Sequence, residues 1–191
     1  MNDSDSVAIE RAVAGDGDGF KVLVERYSRL VFRLAYRMTG NESEAEDVVQ
    51  ETFLRAYRSL SSYDGRSSFS TWLYRIATNY SLDLIAKRNR RAELQPPLDD
   101  EHADRQWETP SSAPGPDRLA ASSQIHRRIR NAMSLLSAQE RSAFVLRHFE
   151  ELSVEEISDS LGIGPSAARH CIFRAVQKLR RSLAPYVSSE L

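Results

Sequence analysis

From Phe20 the apolar positions Phe20, Leu23, Val24, Tyr27, Val31, Leu34 and Met38 follow the i, i+3, i+4, i+7 spacing of a helix with one buried face. Asp18 is the expected N-cap of that helix and Gly40 its expected stop. A second series, Ala45, Val48, Val49, Thr52, Phe53, Ala56, Tyr57 and Leu60, makes a near-complete apolar stripe, with Asn41 and Glu44 spaced as a cap. The turn-like SSYDGRSS then leads into a third helix, whose inward face reads Leu73, Ile76, Ala77, Tyr80 and Leu84. No stretch alternates convincingly enough to predict a strand.

Periodicity stops at residues 95–117, where Pro96, Pro97, Pro110, Pro114 and Pro116 stand among acids and serines. This segment reads as an extended, acidic, Pro-rich linker. It divides the chain into a domain of residues 1–94 and a domain of residues 118–191. The second domain is again helical. Leu119, Ile125, Ile129, Met133 and Leu136 mark its first helix, and Ser137/Glu140 and Ser153/Glu156 are capping boxes opening the next two. Leu152 and Ile157 take the staple positions around Ser153. SLGIGPS then separates a short helix from a longer one running from Ser166 to about Leu183, the order of a helix-turn-helix. The expected fold class is all-α, as two small helical domains.

Total charge is uninformative at −1, but its distribution is not. Residues 96–117 carry a net −5, residues 118–191 a net +4 and residues 61–95 a net +3. Local positive fields of this kind attract phosphate. Hydrophobic residues make up 41% of the chain, ordinary for a protein with a core, and no run approaches the length of a membrane span. The polar, acidic N-terminus is wrong for a secretory signal, and the single cysteine, Cys171, fits a reducing compartment. A cytoplasmic location without membrane insertion is the expectation.

Enzymatic chemistry finds no support in the spacing. The four histidines and Cys171 lack metal-ligand spacing, and the pairs Glu150/Glu151 and Glu155/Glu156 are sequence neighbours that point apart. GDGDGF follows a helical stretch rather than a strand. As a calcium loop from Asp16 it would put Tyr27 where a bidentate Glu is needed, so it reads as a turn with a cap. No metal, cofactor or catalytic residue is expected.

Binding chemistry is better supported. The last long helix carries Arg169, Arg174, Lys178, Arg180 and Arg181 and, from Ser166 to Leu183, no acid. As the second helix of the turn motif it would enter a major groove, with its cations on phosphates and its first turns on base edges. In SFSTWLYRIATNYSLDLIAKRNRR, residues 68–91, helical phase sets Trp72, Arg75, Asn79 and the basic residues after Lys87 apart from the inward face. Aromatics beside cations suit a strand with unpaired bases. Opposite the stripe at 45–60 lie Asp47, Gln50, Glu51 and Leu54, which is either a solvated face or an acidic docking surface with an apolar anchor.

These stretches resemble the sigma factors of bacterial RNA polymerase, specifically the extracytoplasmic-function group. ESEAEDVVQETFLRAYRSL looks like that family's region 2.2, YDGRSSFSTWLYRIATN like regions 2.3 and 2.4, and LSVEEISDSLGIGPSAARHCIFRAVQKLRRSL like region 4.2. The resemblance implies an alternative sigma factor that docks on the β′ clamp helices and β flap of core RNA polymerase. It would recognise −10 and −35 promoter elements and melt the −10 region. Core binding would fall to Asp47, Gln50, Glu51 and Leu54. The melted −10 strand would fall to Tyr63, Asp64, Arg66, Ser67, Phe69, Thr71, Trp72, Arg75 and Asn79, with Lys87, Arg88, Arg90 and Arg91 on nearby phosphates. The −35 duplex would fall to Ser166, Ala167, Arg169, His170 and Arg174, with Lys178 on the backbone. An anti-sigma partner is also implied. Where the family often has Gly-Thr and an Arg, this chain has Ser166, Ala167 and Cys171, so weaker −35 contacts are expected. The alternative reading is a stand-alone helix-turn-helix regulator, which would need a dimerisation or sensing domain that residues 1–95 do not offer.

Overall fold

The fold is known as a computed structural model, described for residues 3–94, 125 and 127–187. The helices are α1 (Asp3–Val13), α2 (Gly17–Thr39), α3 (Glu42–Ser59), α4 (Phe69–Leu94), α5 (127–134), α6 (Ala138–His148), α7 (Val154–Leu161) and α8 (Pro165–Val187). A single 3₁₀ turn, Leu60–Ser62, follows α3, and no strand occurs among the described residues. The linker at 95–117 and Leu119 lie outside them.

The N-terminal half is built on α2. Its N-cap is Asp16, whose side chain accepts from Asp18 N–H, and not Asp18 itself. The cap thus stands two residues upstream of the expected position, at the tight turn out of α1. At the other end Gly40 takes the left-handed conformation (φ 69°) and closes the helix on Tyr36 O, as expected. Helix α1 crosses α2 at Gly19. A Cβ there would come within 2.7 Å of Ala8 O and 2.8 Å of Ala12 N, so the approach requires glycine. Beside this crossing Tyr27 Oη donates to the buried Asp5 carboxylate at 2.6 Å, and Arg26 pairs with the same group.

Along α3 the stripe buries Ala45, Val48, Thr52, Phe53 and Ala56, with Asn41 accepting from Glu44 N–H as the cap. Tyr57 departs from expectation. It is 56% exposed and meets the core only at its edge, T-shaped against Phe20 at 5.0 Å. Helix α4 buries Leu73 and Ala77 as read, while Ile76, Tyr80 and Leu84 are half-buried. It also buries Tyr74, Thr78, Ser81 and Ile85, none of which the apolar pattern marks. The reason is tertiary. α4 packs on α2 and α3 and is also covered by α7 and α6 of the C-terminal half.

In that half both capping boxes form, Ser137 with Glu140 and Ser153 with Glu156. Leu152 and Ile157 are buried as a staple pair. Met133 and Leu136 are core, whereas Ile125 and Ile129 are exposed, so the apolar phase of the first helix holds only near α6. Gly162 ends α7 in the left-handed conformation, and α8 starts at Pro165, one residue before the expected start and longer at its far end. Proline suits that first position because it has no N–H to leave unpaired. Ala168 and Ala175 pack α8 inward.

Candidate nucleic-acid interface

The loop between the 3₁₀ turn and α4 is held by its own polar groups. Tyr63 Oη donates to Ser67 O at 2.7 Å, Asp64 accepts from Arg66 N–H, and Ser68 Oγ accepts from Thr71 N–H. Gly65 takes a positive φ of 72°, which turns the loop between Asp64 and Arg66. Behind it three rings form a triangle: Tyr63–Phe69 at 5.6 Å, Tyr63–Trp72 at 5.4 Å and Phe69–Trp72 at 5.5 Å. Tyr27 backs Phe69 edge-on at 5.4 Å. Burial, followed by the nearby negative charges of Asp5 and Asp64, pushes the Tyr63 phenol up and keeps it a neutral donor.

Most of the expected −10 residues come together here, on differing terms. Asp64, Arg66, Arg75 and Asn79 are exposed, and Tyr63, Ser67, Thr71 and Trp72 are half-buried. Phe69 is the correction: at 2% exposure its ring is the floor under Tyr63 and Trp72, not a surface for a base. Its place at the start of α4 points it back onto α2. Thr71 Oγ1 is already engaged, donating to Glu156 Oε1 at 3.2 Å. Lys87, Arg90 and Arg91 lie exposed along the end of α4. Arg88 differs, because its guanidinium donates to Glu44 Oε2 at 2.9 Å and to Thr39 O at 3.2 Å. It caps the end of α2 rather than standing free.

On α3, Asp47 and Gln50 are exposed beside Leu54, whose exposure is 44%. Glu51 is half-buried and pairs with Arg55 at 2.7 Å, and Arg55 in turn lies over the Tyr80 ring at 4.9 Å. The exposed Tyr57 extends this face by one turn beyond Leu54 (i+3), an addition the sequence reading placed in the core. Its signal was its position at the margin of the stripe.

On α8, Ser166, Ala167, Arg169, His170 and Arg174 are all exposed on the outer side of the helix. Lys178 is not among them. Its Nζ lies 2.6 Å from Glu140 Oε2 and 3.4 Å from Leu135 O, tying α8 to the start of α6. Burial alone would raise the Glu140 carboxyl. The Lys178 contact and the Ser137 N–H outweigh it and hold the group below its ordinary range. Phe173, 65% exposed one turn beyond Arg169 and His170, is the residue that sequence reasoning missed. It borders an open groove of about 570 Å³ shared with Arg147, His148 and Arg169. Burial pushes the Cys171 thiol up, which makes it less reactive. Among the described residues no group of three or more His, Cys, Asp or Glu side chains could hold a metal ion, and no helix is long and apolar enough to cross a membrane.

A helix-turn-helix with an exposed basic helix, in one chain with a ring-lined loop beside exposed cations, is the architecture of a nucleic-acid-binding protein. The Sigma-70 region 2 family matches residues 23–91 and the Sigma-70 region 4 family matches residues 126–179. Curated relatives are of the same kind. The ECF RNA polymerase sigma factor SigW of Bacillus subtilis is 37% identical over 180 residues, covering 92% of this chain and 94% of its own. The RNA polymerase sigma-H factor of Pseudomonas aeruginosa is 34% identical over 190 residues, covering 96% and 95%. The ECF sigma factor SigE of Mycolicibacterium smegmatis is 39% identical over 167 residues, covering 87% of this chain and 62% of its own. Among solved structures CnrH, in complex with the cytosolic domain of CnrY, superimposes with a TM-score of 0.64 at 26% identity, covering 96% of this chain and 99% of that one. The chain belongs to the sigma-70 family of RNA polymerase sigma factors, in its extracytoplasmic-function group. It is a transcription initiation factor that works with core RNA polymerase at promoter DNA.

Proposed function

We propose that residues 1–94 dock on core polymerase and hold the melted −10 strand, while residues 118–191 bind the −35 duplex. The observation that carries this reading is the ring triangle of Tyr63, Phe69 and Trp72 under the Asp64–Arg66 loop. A base leaving the duplex needs a flat apolar partner and a rigid pocket wall, and stacking contributes about 1–3 kcal/mol per base. In this division Trp72, Arg75 and Asn79 meet the strand, Phe69 braces them, and Lys87, Arg90 and Arg91 meet phosphates. On α8, Arg169, His170 and Arg174 reach into the groove, and Phe173 offers an apolar contact of the kind that fits a thymine methyl group.

The α3 face, Asp47, Gln50, Glu51 and Leu54 with Tyr57, is assigned to the β′ clamp helices, and the C-terminal half to the β flap. Acidic groups around an apolar anchor favour a basic, partly apolar partner. RpoE of Bartonella quintana, similar in fold at a TM-score of 0.61, was solved with the anti-sigma factor NepR. A protein of that class, acting on a cytoplasmic chain, is the expected regulator here. Reversing Asp47 and Glu51 together to lysine should weaken co-elution with core polymerase by at least tenfold, with a loss of stability of no more than about 1 kcal/mol from the broken Glu51–Arg55 pair. Unchanged affinity would refute the docking assignment.

A further inference from the structure

The outward side of α4 carries Arg75, Asn79 and Asp83, each four positions after the last and all three exposed. Residues four apart on a helix stand one above the other, so the three side chains form a single ladder. Half-buried Trp72 stands at its foot, and the exposed Lys87 continues it one turn beyond Asp83. A strand and its phosphates account for Trp72, Arg75, Asn79 and Lys87. They do not account for Asp83.

The charge of Asp83 has the wrong sign for phosphate, and no neighbour offsets it. Other acids that reach α4 or its loop are held by cations: Asp64 pairs with Arg66 at 2.9 Å, and Glu44 pairs with Arg88 at 2.9 Å. Lys87 follows Asp83 at the spacing of a helix ion pair, yet Asp83 makes no ion pair or hydrogen bond among the described residues. Ala86, three positions on, is exposed and carries only a methyl group, which leaves room for a base edge to approach. On a surface that met only water, a solvated acid would need no further account. In the middle of a ladder that meets DNA, it repels phosphate and attracts hydrogen-bond donors.

An ionised carboxylate only accepts hydrogen bonds, so a base that meets it must present a donor. In the major groove the donors are the amino groups of cytosine N4 and adenine N6. Adenine sets its N7 acceptor beside that amino group, where it repels a carboxylate, whereas cytosine presents the donor without one. We infer that Asp83 is a specificity-determining residue, whose carboxylate accepts from the N4 amino group of a cytosine at the paired edge of the −10 element. The inference rests on the assignment of α4 to the −10 element made above. At 1.5 Å per residue, Asp83 stands about 6 Å along the helix beyond Asn79 and about 16 Å beyond Trp72. With about 3.4 Å per base step, these are roughly two and roughly five steps. The ring-lined end of α4 takes the unpaired base, so Asp83, at that remove, meets a base pair that is still closed. Arg75 and Lys87 meet phosphates on either side and offset the repulsion that its charge brings.

The test combines the full chain with core RNA polymerase on a promoter library randomised through the −10 element and the base pairs just upstream, with start sites read by sequencing. The wild-type holoenzyme should favour cytosine by about 5-fold or more at one position, and Asp83→Ala should abolish that preference while leaving the other positions unchanged. Asp83→Asn should also lose it and move the preference to adenine, whose N6 and N7 an amide meets in a bidentate pair. A solvated acid with a merely structural role would move neither. Circular dichroism and affinity for a −35 duplex, both expected to match wild type, confirm that the variants are folded. A cytosine preference that survives in either variant, or no such preference in the wild type, overturns the inference. Asn79→Ala separates this failure from that of the reading beneath it. If Asn79→Ala alters the −10 preferences and Asp83→Ala does not, the role of Asp83 falls and the −10 assignment stands; if neither alters them, the assignment of α4 falls as well.

Discussion

Replacing Trp72 with alanine separates the work of α4 from that of α8. The ring is half-buried against Tyr63 at 5.4 Å and Phe69 at 5.5 Å, so truncation removes both a packing partner and a stacking surface. Full burial of an aromatic is worth about 3–5 kcal/mol on truncation, and a half-buried ring about half of that. A domain with a typical stability of about 5–15 kcal/mol stays folded after such a loss. The stacking surface is worth about 1–3 kcal/mol, or about 5- to 150-fold in open-complex formation. Permanganate reactivity of −10 thymines in the holoenzyme should fall by that factor, while gel-shift affinity for a −35 duplex stays within twofold of wild type. Phe69→Ala provides the contrast. It removes a fully buried ring and should cost about 3–5 kcal/mol in urea unfolding, with its effect on melting following from lost structure. Normal thymine reactivity in a folded Trp72→Ala holoenzyme would refute the assignment of this face.

Other perturbations test separate parts of the account. Arg169→Ala should flatten the salt dependence of −35 binding by about one unit of slope. Lys178→Ala should leave that slope unchanged and instead lower stability by about 1–3 kcal/mol, because Glu140 loses its partner; a changed slope would return Lys178 to the DNA. Glu140 and Glu156 are both held below the ordinary value of 4.5, so near that pH the unfolded chain binds more protons. Their contribution is therefore complete above about pH 4.5 and lost as pH falls below it, and urea midpoints should drop between pH 5.5 and pH 3.5. Equal midpoints would contradict the shifts. Glu151→Gly should raise stability by about 0.5–1 kcal/mol by relieving the left-handed backbone, measured as a higher urea midpoint.

What was readable in the sequence follows from where each residue's partners lie. The centres of the apolar faces of α2 and α3, the Gly40 stop and both capping boxes depend on neighbours three or four positions away, and they are found as read, whereas Phe20, Val24 and Val49 are half-buried and Tyr57 is exposed at the margins. The second buried face of α4 was not readable. Tyr74, Thr78 and Ser81 are drawn inward by a helix that also meets α6 and α7, and no periodicity within α4 announces that. The same limit applies to the binding faces. Helical phase separates Arg75 and Asn79 from Leu73 and Ala77, but Phe69 sits at the helix start, where α2 and the preceding loop decide its direction. Lys178 and Arg88 carry the charge expected of phosphate contacts. They are taken by Glu140 and Glu44, carboxylates 38 and 44 positions away in the chain. A count of cations therefore overstates a surface wherever the fold supplies a counter-charge.

The most direct measurement is transcription itself. Core RNA polymerase, freed of other sigma factors, is combined with this chain on a library of linear genomic fragments, and run-off transcripts are sequenced. The account predicts discrete start sites that depend on the added chain, share −10 and −35 elements and weaken together with the Trp72→Ala variant. No co-elution with core polymerase and no transcripts above those of core alone would contradict it.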